Sequence, residues 1–134
     1  MRIAFCLLLL TGLAMGNQEL PALAAEFREL RTIRGWFSGG DAWVDAVDSW
    51  DGRKHRVMGR LAELLGDGQH TRAEVEKLLG APDEAVRPAS PTFRFIQGEA
   101  DLALVYRWRG MHDFLYFRCV GDRVVGYGWW MAGE

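Results

Sequence analysis

Residues 101–130 read DLALVYRWRGMHDFLYFRCVGDRVVGYGWW, and the hydrophobic period of this stretch decides the fold. Leu102, Leu104, Tyr106 and Trp108 alternate with smaller or charged neighbours. Leu115, Phe117 and Cys119 alternate against Phe114, Tyr116 and Arg118. Val125, Tyr127 and Trp129 alternate against Val124, Gly126, Gly128 and Trp130. A period of two belongs to a strand, whose side chains point to opposite faces in turn. Arg109-Gly110-Met111 and Gly121-Asp122 are turn signals, and connections this short force antiparallel pairing. The stretch therefore predicts a meander, and Thr92–Gln97, where Phe93 and Phe95 alternate, offers a further strand.

Upstream the period changes to that of a helix. In Gly68–Glu84, GQHTRAEVEKLLGAPDE, Thr71 and Glu74 form a capping box. Val75, Leu78 and Leu79 make one apolar stripe, Gly80 supplies a helix end, and Pro82 prevents resumption. Arg53–Leu65 carries a second stripe of Val57, Met58, Leu61, Leu64 and Leu65. Leu20–Arg34 carries a third, of Leu20, Leu23, Ala24, Phe27, Leu30 and Ile33. Between them, Trp36-Phe37 reads as an apolar hook on a glycine-rich loop. Asp41 caps a short helix with Trp43, Val44, Val47 and Trp50 on one face, and Asp45 and Asp48 turned to water. Asp83–Pro91 reads as a surface connector. The fold class that follows is α+β, with N-terminal helices packed on one face of a three- to four-stranded antiparallel meander sheet.

The first residues belong to a different category. Arg2, the apolar run Ile3–Leu13 and the small residues Ala14-Met15-Gly16 make a secretory signal, residues 1–16, with cleavage after Gly16. A second candidate cut follows Ala24. The run is far shorter than the roughly 20 apolar residues that span a bilayer. Cys6 lies inside it without small residues before it, so it is no lipid attachment site. Export to the periplasm or beyond is expected, and Cys119 is left as a single buried thiol with no disulfide.

The 134 residues fit one domain, and 49% hydrophobic with 25% charged residues is globular composition. A net charge of −2 without a basic stripe argues against nucleic acid. Membrane contact is expected to be peripheral at most.

The helix end Leu78-Leu79-Gly80-Ala81-Pro82-Asp83, followed by Tyr106-Arg107-Trp108, Leu115-Tyr116-Phe117 and Gly121-Asp122-Arg123-Val124-Val125, resembles the BamE-like family of small bacterial envelope proteins. That family shares a helix pair and three-stranded sheet with the repeats of β-lactamase inhibitor proteins. The resemblance covers about Arg53–Trp130. It implies a BamE-like domain at 53–134, preceded by a helical extension at 17–52. It also implies a non-catalytic, protein-binding role in the cell envelope. The chain departs from the family in lacking a lipobox.

The chemistry-bearing residues give no catalytic pattern. His55, His70 and His112 stand at no metal-ligand spacing and read as solvent-exposed, and neither H-E-x-x-H nor C-x-x-C occurs. No G-x-S-x-G elbow exists for Ser38, Ser49 or Ser90, and a buried Cys119 makes a poor nucleophile. No enzyme activity, cofactor or metal is expected. The unusual feature is the sheet, which is apolar on both faces. If helices cover one, the other shows Val105, Phe114, Tyr116, Val124 and Trp130, the candidate partner surface for another envelope protein. Gly126 and Gly128 on that face would let an aromatic ring approach closely. Otherwise the chain covers this face itself, with the Leu20–Ile33 stripe or the Trp36-Phe37 hook. Two other roles stay open: an inhibitor of a secreted enzyme acting through the Trp108–Asp113 hairpin, and a small hydrolase using His112.

Overall fold

The computed structural model describes residues 18–132. The proposed signal, residues 1–16, lies outside them. Among the described residues four α-helices come first: α1 (Glu19–Leu30), the single-turn α2 (Asp45–Asp48), α3 (Arg53–Leu65) and α4 (Arg72–Leu79). Four strands follow: β1 (Glu84–Val86), β2 (Leu102–Arg109), β3 (Asp113–Val120) and β4 (Arg123–Trp130). All neighbours pair antiparallel in the order β1-β2-β3-β4, so the architecture is the predicted α+β meander. Gly110 and Gly121, both at φ +61°, take the left-handed conformation in the two hairpin turns, where a side chain would be strained.

The helices pack on one sheet face. Ala24, Phe27, Leu30, Val57, Met58, Leu61, Leu65, Val75 and Leu79 share one core with Leu102, Leu104, Tyr106, Trp108, Leu115, Phe117 and Cys119. Phe27 meets Tyr106 edge-on at 5.9 Å, and the Tyr106 hydroxyl donates to Gly80 O at 2.8 Å. The boundary between residues 52 and 53 therefore divides the sequence and not the core. Arg28 of α1 and Arg31 just beyond its end donate to Leu78 O and Leu79 O. They satisfy carbonyls that the end of α4 leaves unpaired, where positive charge is also favoured. At the other end of α4, Thr71 Oγ1 accepts from Glu74 N at 3.1 Å, as the cap predicts.

Two readings need correction. Thr92–Gln97 is not a strand: Pro91–Phe95 forms a 3₁₀ turn. Pro91 has no N–H for a sheet ladder and its fixed φ suits a helical first position. Phe93 and Ile96 are then one 3₁₀ repeat apart, with Ile96 N donating to Phe93 O at 3.0 Å. The fourth strand comes instead from the connector, at Glu84–Val86. Secondly, β4 carries a bulge. Arg118 pairs with Gly126 and Cys119 with Val124, leaving Val125 as the extra residue. One inserted residue reverses the faces beyond it, so Val124 is fully buried in the helix-side core and Val125 is exposed.

Candidate functional site

The second sheet face, read either as an open partner surface or as one that the chain covers itself, is covered. Val105, Phe114 and Tyr116 are buried with Val86, Ile96 and Ala103, and Phe93, Phe95 and Trp130 pack against them. The cover is the segment between β1 and β2, not the Leu20–Ile33 stripe and not the Trp36-Phe37 hook. Phe95 stacks on Trp130 at 4.4 Å, and Gln97 N donates to the Tyr116 hydroxyl at 3.2 Å. Gly128 leaves the room: a Cβ there would stand 2.3 Å from the Tyr116 hydroxyl. Of the five predicted partner residues, Val105, Phe114 and Tyr116 are thus internal to this layer. Val124 is on the other side, and only Trp130 keeps partial exposure.

Exposed apolar area is concentrated elsewhere. Trp36 is 57% exposed, Trp43 51%, Trp50 65% and Met111 67%. Three of these lie in residues 36–50, so the expected Trp43–Trp50 helical face does not form: α2 is one turn long, and of that set only Val47 is buried. The segment is shaped by Asp48 rather than by apolar packing. The Asp48 carboxylate, 1% exposed, accepts from Trp36 N at 2.8 Å, Phe37 N at 3.3 Å and Val44 N at 2.7 Å. Burial alone would raise its pKa. The N–H groups of Val44, Trp36 and Phe37 and the charge of Arg109 outweigh burial and hold the carboxyl below its ordinary value. Gly35 is required here, since a Cβ would stand 2.4 Å from Asp48 Oδ1.

Arg109 ties this segment to the sheet. A bulge between Arg107 and Arg109 turns its side chain inward, where Nε donates to Asp113 Oδ2 at 2.9 Å and Nη1 to Asp48 O at 2.6 Å. Its guanidinium lies 4.3 Å from the Phe37 ring centroid and 4.1 Å from that of Trp108, within cation–π range. Trp108 stacks on His55 at 4.2 Å, and Trp50 and Trp129 flank the imidazole at 4.8 and 5.4 Å. His55 is therefore half-buried rather than free in solvent, with Nδ1 accepting from Asp51 N at 3.0 Å. Burial lowers its pKa, with smaller opposing effects of Asp51 and Asp113 and a reinforcing one of Arg109. His70 is also partly buried and pairs with Glu74 at 2.9 Å. In the Trp108–Asp113 hairpin, Trp108, Arg109 and Asp113 are buried, and only Met111 and His112 are exposed. A probe loop of Trp and Asp for an enzyme's active site is therefore not on offer. Cys119 is fully buried, its thiol pushed up to about 11 chiefly by burial.

Between the Phe37–Gly39 loop, the start of α3 and the β2–β3 hairpin lies a pocket of about 450 Å³, lined by Arg31, Lys54, Asp83, Arg107, Trp108 and Met111 among others. Lys54 is 8% exposed. Burial pushes its pKa down to about 8, Arg31 adds to this, and Asp83 and Asp48 oppose it. Sequence reading placed Lys54 on a wet helix face and Asp48 in water. Nothing in the sequence separates Lys54 from Arg53 and Arg56, which share the first turn of the same helix. Asp48 carried no signal, because its partners are backbone groups up to twelve residues away. No family model matches the chain, and no match was found among curated proteins or solved structures.

Proposed function

We propose that the chain is an exported, non-catalytic binding module of the bacterial cell envelope, a relative of the BamE-like proteins, that contacts another protein through the aromatic end formed by residues 36–50 and the Met111 hairpin tip. The observation that carries this is the exposure of Trp36, Trp43 and Trp50 on a segment held rigid by a buried carboxylate. Exposed tryptophans on a preorganised backbone cost little entropy when a partner covers them, and aromatic residues dominate contact energies. Three further observations support the reading. The α3–α4 pair precedes the β2–β3–β4 meander, as in the family named above. No helix among the described residues is long and apolar enough to cross a membrane. Cleavage after Gly16 leaves α1 whole, whereas a cut after Ala24 would split a helix whose Ala24 is fully buried.

The test is an affinity capture from envelope extract, comparing wild type with the W36A/W43A/W50A triple variant and with W130A. A specific protein retained by wild type and W130A, and lost from a folded triple variant, supports the reading. Equal retention by all three, or none at all, counts against it.

A further inference from the structure

The pocket beside α3 holds more positive charge than its acids can answer. Asp83 lines it, but both its oxygens are occupied: Oδ1 accepts from Arg31 Nη2 at 3.2 Å and Oδ2 from Arg107 N at 2.7 Å. Asp48, the other acid close enough to act on Lys54, is occupied by three backbone N–H groups. Lys54 itself makes no hydrogen bond or ion pair with any described residue, although more than nine tenths of it is buried. The stem is buried while the ammonium keeps access to the pocket, so an unpaired positive charge faces that space. Placed in the first turn of α3, it also opposes the helix dipole. Arg31 brings a second cation to the same wall, and Arg107 a third. Phe37, Trp108 and Met111 supply apolar lining beside Ser38 and two glycines. Trp108, moreover, has a buried Nε1–H with no acceptor among the described residues. A pocket of this volume suits a small molecule.

We propose that this pocket binds a small organic anion, with its carboxylate or phosphate group on the Lys54 ammonium and its apolar body against Phe37, Trp108 and Met111. The anion supplies the acceptor that Lys54 lacks and offsets the excess of cations over Asp83. Aromatic and thioether surface at the mouth selects a ligand with an apolar body over a bare inorganic ion. No protein partner is needed for this binding, so it stands or falls separately from the contact role of the aromatic end.

The experiment is a calorimetric titration of the purified protein with four probes: benzoate, phenyl phosphate, acetate and inorganic phosphate. It is repeated in K54M, in R107M and in R94M, a control on the far side of the sheet. Saturable binding of benzoate or phenyl phosphate is expected at millimolar concentration or below. Affinity should fall at least about tenfold in K54M and severalfold in R107M, with R94M unchanged. Whichever probe binds more tightly identifies the head group. Acetate and inorganic phosphate should bind more weakly than their aromatic counterparts. K54M should melt no lower than wild type, because it removes a charge that has no partner and keeps an apolar stem in the same buried place. Three results would overturn the proposal: no saturation by either aromatic anion, equal binding by K54M, or a K54M variant that melts several degrees below wild type, which would make Lys54 a structural residue.

Discussion

Asp48 and Lys54 are six residues apart and illustrate opposite treatments of a buried charged residue. Asp48 is surrounded by donors, and the loop from Gly35 to Val44 is wrapped on its two oxygens. D48N keeps the shape but replaces one acceptor oxygen with a donor that faces N–H groups. We expect a loss of about 2–3 kcal/mol in chemical denaturation. Because the folded carboxyl titrates below its ordinary value, its contribution is complete above the unfolded pKa and is lost as pH falls through the folded one. Wild type should therefore lose stability in acid relative to D48N, and a constant difference between the two down to pH 2 would contradict this. Lys54 behaves in the opposite sense. Its folded pKa is depressed to about 8 from an ordinary 10.5, so between those values the unfolded chain binds the proton and the folded one does not. Stability gained from Lys54 accordingly rises over that window, by up to about 3 kcal/mol. Cys119, raised to about 11, works the other way above pH 9. The measurement is therefore the difference between wild type and K54M, which should shrink from pH 8 to pH 10.5. Neither residue was legible in the sequence, where each sat on the polar side of a periodic stripe. Periodicity reports which side faces the core, not which backbone groups a distant loop will bring.

At the scale of elements, what periodicity could reach it placed well. The α1, α3 and α4 stripes and the β2 and β3 alternations are long, and most of each predicted side is buried, whereas in β4 Val125 and Tyr127 of the predicted side are exposed. The failures are short or depend on a one-residue event. Phe93 and Phe95 fit a period of two only because two residues cannot distinguish two from three, and Pro91 settles the matter by starting a 3₁₀ turn. Val124 changes face because of a single bulge at Val125, for which the sequence has no marker. The 87–101 segment, read as the end of a surface connector followed by a strand at Thr92–Gln97, is the lid of the second sheet face. If it is integral, I96A should cost about 2 kcal/mol or more, in line with cavity formation in a packed layer. F27A on the opposite face should cost about 3–5 kcal/mol. A change of less than about 0.5 kcal/mol for I96A would be that of a surface site, and would show the lid to be detachable. In that case Val105, Phe114 and Tyr116 would become available again as a contact surface.

For the whole molecule, the sheet is sealed on both faces, by three helices on one and by a connector on the other. The binding potential is thereby displaced to one end, where the 36–50 segment, the β2–β3 hairpin and the start of α3 converge. There the chain exposes three tryptophans, cages His55 between Trp50, Trp108 and Trp129, and opens its cation-lined pocket. The two-sided apolar character of the sheet was visible in the sequence and pointed to surplus greasy area. Its owner was misplaced, because a sheet face can be satisfied by any segment of sufficient length nearby. The most direct measurement is site-specific photo-crosslinking in the cell envelope, with a photoreactive side chain installed at position 43 in one strain and at position 93 in another. The aromatic-end account predicts a discrete adduct from position 43 that disappears in a W36A/W50A background, and none from position 93. A discrete adduct from position 93, with position 43 silent, would contradict it and return the contact surface to the sheet.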